Sequence, residues 1–231
     1  MRVAFIVDGF NLYHSIKDAE KMVPARPQRW LDLRAFCESY VRNFGRAAML
    51  EDVYYFSAIA AHLEPAKPDI SRRHQTYLDA LAATGVHVSL ANFKVSNRYF
   101  SFRQCRFRIW PFRRFIRVPL PRCTVLVQRA EEKETDVAIA TKLFELLHTN
   151  AADAVVLVTG DTDLLPAIRT ARRLFPTILI GVCFPFKRHN ADLKRSVVRS
   201  FKVRKEQYAV YQLPDPISLP NGHVIRKPPP W

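Results

Sequence analysis

Four aspartates stand where a chemical site could be built. Asp8 closes the apolar run Val3–Val7. Asp161 and Asp163 follow the apolar run Ala154–Val158 across Thr159-Gly160. Asp136 opens a segment of helical period. Each has a plain structural alternative. Asp8 or Asn11 could cap the helix that begins after Gly9, and one of Asp161 and Asp163 could cap the next. Two acids one residue apart exceed what a single cap requires. Asp136 lies on the apolar stripe of its helix, three, four, seven and eleven residues before Ile139, Ala140, Leu143 and Leu147. An acid there is rare unless paired, although an early-helix position with a local hydrogen bond would also explain it. Carboxylates gathered this closely repel one another. A hard divalent cation relieves the repulsion, and all-oxygen ligands select Mg²⁺ or Mn²⁺.

These acids need a scaffold that brings distant segments together. Val3–Val7, Val53–Phe56, Ala154–Val158 and Ile178–Val182 read as strands covered on both faces, and Val86–Leu90 as a further one. Segments of helical period lie between them, at Trp30–Phe44, Ser71–Ala83, Thr135–His148 and Asp163–Leu174. Strands alternating with helices predict an α/β fold, a Rossmann-like three-layer sandwich around a mostly parallel sheet. Ligands of such sheets sit beyond the carboxyl ends of the strands, where Asp8 and Asp161 fall.

Residues 93–127 break this rhythm and predict a β-hairpin inserted into the domain. From Ala80 to Ala130 the sequence holds no Asp or Glu, while the formal net charge of the whole chain is +15. The insertion carries Lys94, Arg98, Arg103, Arg106, Arg108, Arg113 and Arg114, interleaved with Tyr99, Phe100, Phe102, Phe107, Trp110, Phe112 and Phe115. Arginine suits phosphate geometry and aromatic rings can stack on bases, so the expected partner is nucleic acid. The same insertion would serve a homodimer as an arm. Residues 1–205 are expected to form one nuclease-like domain, and 206–231 a Pro-rich tail on the surface or disordered. The opening apolar run is short and ends in an acid, and no stretch approaches the ~20 apolar residues of a membrane span. A cytoplasmic protein without membrane contact is expected. The scattered cysteines, with no Cys-x-x-Cys, read as buried hydrophobes.

Asp8-Gly-Phe-Asn-Leu-Tyr-His, Gln75-Thr-Tyr-Leu-Asp-Ala-Leu, Glu132-Lys-Glu-Thr-Asp136-Val and Thr159-Gly-Asp-Thr-Asp163 occur in that order. With these segments the chain resembles the NYN domain family, the LabA-like branch of the PIN-like nucleases, from Arg2 to about Lys202. The resemblance implies a PIN-like sandwich and divalent-metal cleavage of phosphodiesters, with RNA ahead of DNA as substrate. It also implies that Asp8, Asp136, Asp161 and Asp163 are the metal-site acids, supported by Asn11 and Thr159.

The resulting expectation is endonucleolytic hydrolysis, with Arg72, Arg73 and the basic insertion holding flanking phosphates. A non-catalytic RNA-binding module with a vestigial acidic cluster is the competing expectation. A phosphotransferase would place a second acid after the first strand, and that position reads Asp8-Gly-Phe.

Overall fold

The structure, a computed structural model, describes residues 1–23, 28–59, 68–109 and 114–229; at residue 68 and along 92–133 it describes the backbone only. Strand β1 (Arg2–Asp8) leads into helix α1 (Gly9–Glu20). After α2 (Leu33–Val41) come β2 (Met49–Ala58) and α3 (Pro68–Ala83). Strands β3 (His87–Ile109) and β4 (Arg114–Lys133) precede α4 (Thr135–His148). The chain continues through β5 (Ala154–Val158), α5 (Leu165–Leu174) and β6 (Leu179–Phe184). The last elements are α6 (Ala191–Arg195), β7 (Arg199–Lys202), α7 (Gln207–Val210), β8 (Ile217–Ser218) and β9 (Val224–Ile225).

The main sheet runs β4-β3-β2-β1-β5-β6-β7, parallel throughout except for the antiparallel β3–β4 pair. Side chains alternate across it as the pleat requires. Val3, Phe5 and Val7 join one core with residues of α1, α2 and α3. Ala4 and Ile6 join a second core with Ile139 and Leu143 of α4 and Ile168 of α5. The unbroken apolar runs of β1 and β5 follow from this: both strands are covered on both faces, in the expected three-layer α/β/α sandwich.

From β1 the chain steps outward through β2 to β3, then returns to the other side of β1 for β5, β6 and β7. The order therefore reverses between β1 and β5, and the carboxyl ends of these strands form the natural binding crevice.

Two expectations need correction. The hairpin is longer than 93–127. Strand β3 pairs with β2 through His87–Ala91 and then carries on as one edge of a ribbon, with Asn92 opposite Lys133 and Ile109 opposite Arg114. Consequently Glu131 and Glu132 belong to β4, opposite Lys94 and Phe93. Nor is the segment after residue 205 a surface tail. Tyr208, Leu213, Ile217 and Ile225 are buried in the core beside α2 and α3. Trp30 donates its indole N–H to the Pro214 carbonyl at 3.1 Å, and the Leu213 N–H donates to the Trp30 carbonyl at 2.9 Å. Prolines here fix extended backbone between apolar anchors. No helix among the described residues is long and apolar enough to cross a membrane.

Candidate active site

Asp8 ends β1 and caps α1. Its extended backbone (φ −75°, ψ 101°) turns the carboxylate back over the helix, where Oδ1 accepts the Asn11 N–H at 2.9 Å. The capping reading of Asp8 is thus correct, and it does not exclude the other. Oδ2 accepts the Thr159 hydroxyl at 2.9 Å, a buried bond between the ends of β1 and β5. Thr159 Oγ1 in turn accepts the Asp161 N–H at 3.1 Å, and Asn11 accepts the Gly160 N–H on its side-chain oxygen at 3.1 Å. Asp161 then caps the short 3₁₀ turn Thr162–Leu164 by accepting the Asp163 N–H at 3.1 Å. One hydrogen-bonded chain therefore fixes both acidic turns relative to each other.

The glycines in these turns are required by crowding. A Cβ on Gly9 would lie 2.5 Å from the Tyr55 ring and 2.6 Å from the Phe56 carbonyl oxygen. A Cβ on Gly160 would lie 2.0 Å from the Arg188 carbonyl oxygen. Only a residue without a side chain lets the first turn pack on the end of β2 and the second on the chain at Arg188.

Above them lies a cavity of about 330 Å³, lined by Asp8, Phe10, Asn11, Glu134, Thr135, Asp136, Val137 and Asp161. Of the four expected acids, Asp8, Asp136 and Asp161 line it. Asp163 stands outside the lining, yet its charge still reaches Asp136. Asp136 faces the cavity mouth and not the core; the buried stripe of α4 is Thr135, Ile139, Leu143, Leu146 and Leu147. Desolvation, joined by the negative charges of Asp161 and Asp163, pushes the Asp136 carboxyl above the ordinary aspartate range.

Glu134, exposed at the start of α4, also lines the cavity. It precedes α4 in the left-handed region (φ 78°), with no capping bond from its side chain. A glutamate there stores backbone strain on the order of 1 kcal/mol, and such strain gathers at functional sites. The signal available in the sequence was its place two residues before Asp136. Phe10 and Val137 were also missed; both are exposed, and α1 leaves Phe10 off its buried face of Leu12, Ile16 and Ala19.

Among the described residues, no group of three His, Cys, Asp or Glu side chains is arranged to hold a metal ion. The donor chemistry nevertheless suits Mg²⁺ or Mn²⁺: hard carboxylate oxygens share one cavity, and their mutual repulsion is visible at Asp136. Mg²⁺ keeps several waters and needs only one or two carboxylates, so an incomplete cage is compatible with it.

The basic residues divide. Arg72 is exposed and already paired with Asp69 at 2.7 Å, Arg73 is half-buried, and neither lines the cavity. Lys94, Arg98, Arg103, Arg106, Arg108 and Arg114 lie along the β3–β4 ribbon, their side chains outside the described atoms, and Arg113 lies outside the described residues.

The family model of the NYN domain matches residues 2–202. The chain belongs to the NYN domain family. NYN domains are generally nucleases, and the family as a whole is associated with nucleic acid, RNA above all. The NYN domain is also similar to the 6-hydroxy-3-succinoylpyridine 3-monooxygenase of Pseudomonas putida, at 24% identity over 100% of this chain and 75% of that enzyme. Among solved structures it is similar to a protein of unknown function from Vibrio parahaemolyticus. The TM-score is 0.52 at 13% identity, covering 92% of this chain and 96% of the other, a likeness of fold.

Proposed function

We propose that this NYN domain is a divalent-metal-dependent endoribonuclease whose site is the acidic cavity at the ends of β1 and β5. The observation that supports it is the convergence of Asp8, Asp136 and Asp161, from distant segments, on one cavity in which desolvation, and then the charges of Asp161 and Asp163, raise the Asp136 pKa. Asp8, Asp136 and Asp161 are the proposed ligands, with Asp163 and Glu134 at their margin. Bound Mg²⁺ or Mn²⁺ would supply an acidified water and shield the phosphodiester from the acids. Thr159 and Asn11 act as positioning residues: Thr159 holds Asp8 by its hydroxyl, and Asn11 holds the Gly160 turn that carries Asp161. The ribbon arginines are proposed to hold flanking phosphates, each contact steepening the salt dependence of binding.

The test incubates labelled single-stranded RNA and DNA with wild type and Asp161→Asn, with and without Mn²⁺. Wild type is expected to cut RNA only with the metal, and Asp161→Asn to lose roughly 100-fold or more of that rate, about 2.7 kcal/mol of barrier. Undiminished cleavage by the folded variant sinks the assignment. The competing reading, RNA binding without catalysis, is the other outcome of the same test. RNA that is bound yet left intact in Mn²⁺ would establish it.

A further inference from the structure

Helix α1 shows two faces. Leu12, Ile16 and Ala19 are buried, whereas Phe10 is 45% exposed and Tyr13 40% exposed. Phe10, Tyr13, His14 and Lys17 have the three- and four-residue spacing that places them on one stripe of a helix. They touch in sequence: Phe10 meets His14 edge-on at 4.5 Å between ring centres, Tyr13 meets His14 at 5.6 Å, and the Lys17 ammonium sits 5.5 Å over the Tyr13 ring. The core does not use these rings. Their stripe begins in the acidic cavity, because Phe10 lines it beside Asp8 and Asp136, and it runs away from that cavity along α1.

We propose that this stripe is a stacking track for unpaired nucleobases of the strand that enters the cavity, Phe10 carrying one base, Tyr13 the next, and Lys17 a phosphate beyond them. The proposal rests on the nuclease reading for what occupies the cavity. Three observations select this occupant. The stripe is continuous with the cavity. Its one cation makes no ion pair among the described residues and can meet a phosphate. The third is the run of ring contacts itself, Phe10 to His14 to Tyr13, which keeps two exposed aromatic side chains side by side along the helix. Burial, with Lys17 and Arg188 nearby, lowers the His14 pKa, so at neutral pH His14 contributes a ring and not a charge. Bases inside a duplex face one another and are closed to such a surface, so the track favours single strands through stacking that tolerates any base.

The test uses the full chain and a single-stranded oligoribonucleotide carrying 2-aminopurine at successive positions, in EDTA and again in Ca²⁺. Wild type is expected to change the 2-aminopurine fluorescence at two adjacent positions. Phe10→Ala and Tyr13→Ala are each expected to abolish the change at one position and weaken binding about tenfold, on the scale of one base–aromatic stack. Phe10→Trp and Tyr13→Phe should preserve both. Single-stranded DNA should behave like RNA, and duplex RNA should show no effect of either alanine. Circular dichroism confirms folding, since both rings lie outside the core. Unchanged fluorescence and affinity in the folded alanine variants, or no change at any position with wild type, overturns the track. If the fluorescence responds as expected but Mn²⁺ gives no cleavage, the nuclease reading fails alone. If cleavage occurs while the alanine variants bind normally, the track fails alone.

Discussion

Asp136 concentrates the electrostatic cost of the cavity. Its raised pKa means that, as pH climbs through the ordinary aspartate range, the folded chain keeps a proton that the unfolded chain has released. Ionising it therefore opposes folding, and by neutral pH that opposition is fully present. Without divalent metal, Asp136→Asn is expected to melt higher than wild type at pH 7, and the gap should close below about pH 3, where the carboxyl is protonated in both states. Thermal unfolding at the two pH values in EDTA checks this; a variant less stable than wild type at pH 7 contradicts it. Mn²⁺ should narrow the gap by stabilising only the wild type, since a ligand that binds the folded state raises its stability. At this scale the sequence was partly readable. Asp8 and Asp161 could be singled out because they follow apolar strands, whereas Asp136 was singled out for a place on the buried stripe that the structure does not give it. Glu134 could not be separated from its acidic neighbours, because its left-handed backbone and the end of β4 at Lys133 are settled by strand pairing.

The turn after β5 shows what an element must supply. It brings Thr159 under Asp8 and packs Gly160 against the chain at Arg188, whose side chain is itself held by Asp18 at 2.8 Å. Gly160→Ala would drive a methyl into a backbone oxygen that no side-chain rotation can remove. The expected loss is on the order of 1–3 kcal/mol of stability, as for other forced overpacking. A thermal melt unchanged by Gly160→Ala would show that the turn has slack. Among elements, α4 was readable to its end residues, since its apolar stripe and its acids both mark it. The ribbon limits were not: its ladder runs past the aromatic stretch into Asn92 opposite Lys133 and Lys94 opposite Glu131, polar residues that carry no strand pattern of their own. The short elements α6, β7 and α7 were also invisible, being too brief for any period to show.

On the scale of the whole chain, a basic protein of net charge +15 carries a compact acidic hole. The contrast suits a polyanion held widely and attacked locally. The prolines after Tyr211 hid how the chain is finished. The Phe186 N–H donates to the Tyr208 hydroxyl at 3.1 Å, that hydroxyl meets Ser15 Oγ at 2.7 Å, and Ser15 donates to the Phe186 carbonyl at 2.8 Å. This closed ring fastens the C-terminal segment to α1, the helix that Asp8 caps. Tyr208→Phe is expected to cost about 1–3 kcal/mol, because the Phe186 N–H and Ser15 lose their common partner in the interior. Equal melting temperatures for this variant and wild type would show the ring to be incidental. Its position also orders events during synthesis: every proposed ligand has left the ribosome before Tyr208 is made, but helix α1 is not clamped until it arrives. A nascent chain would therefore carry the full set of acids while still lacking the fastening that steadies them.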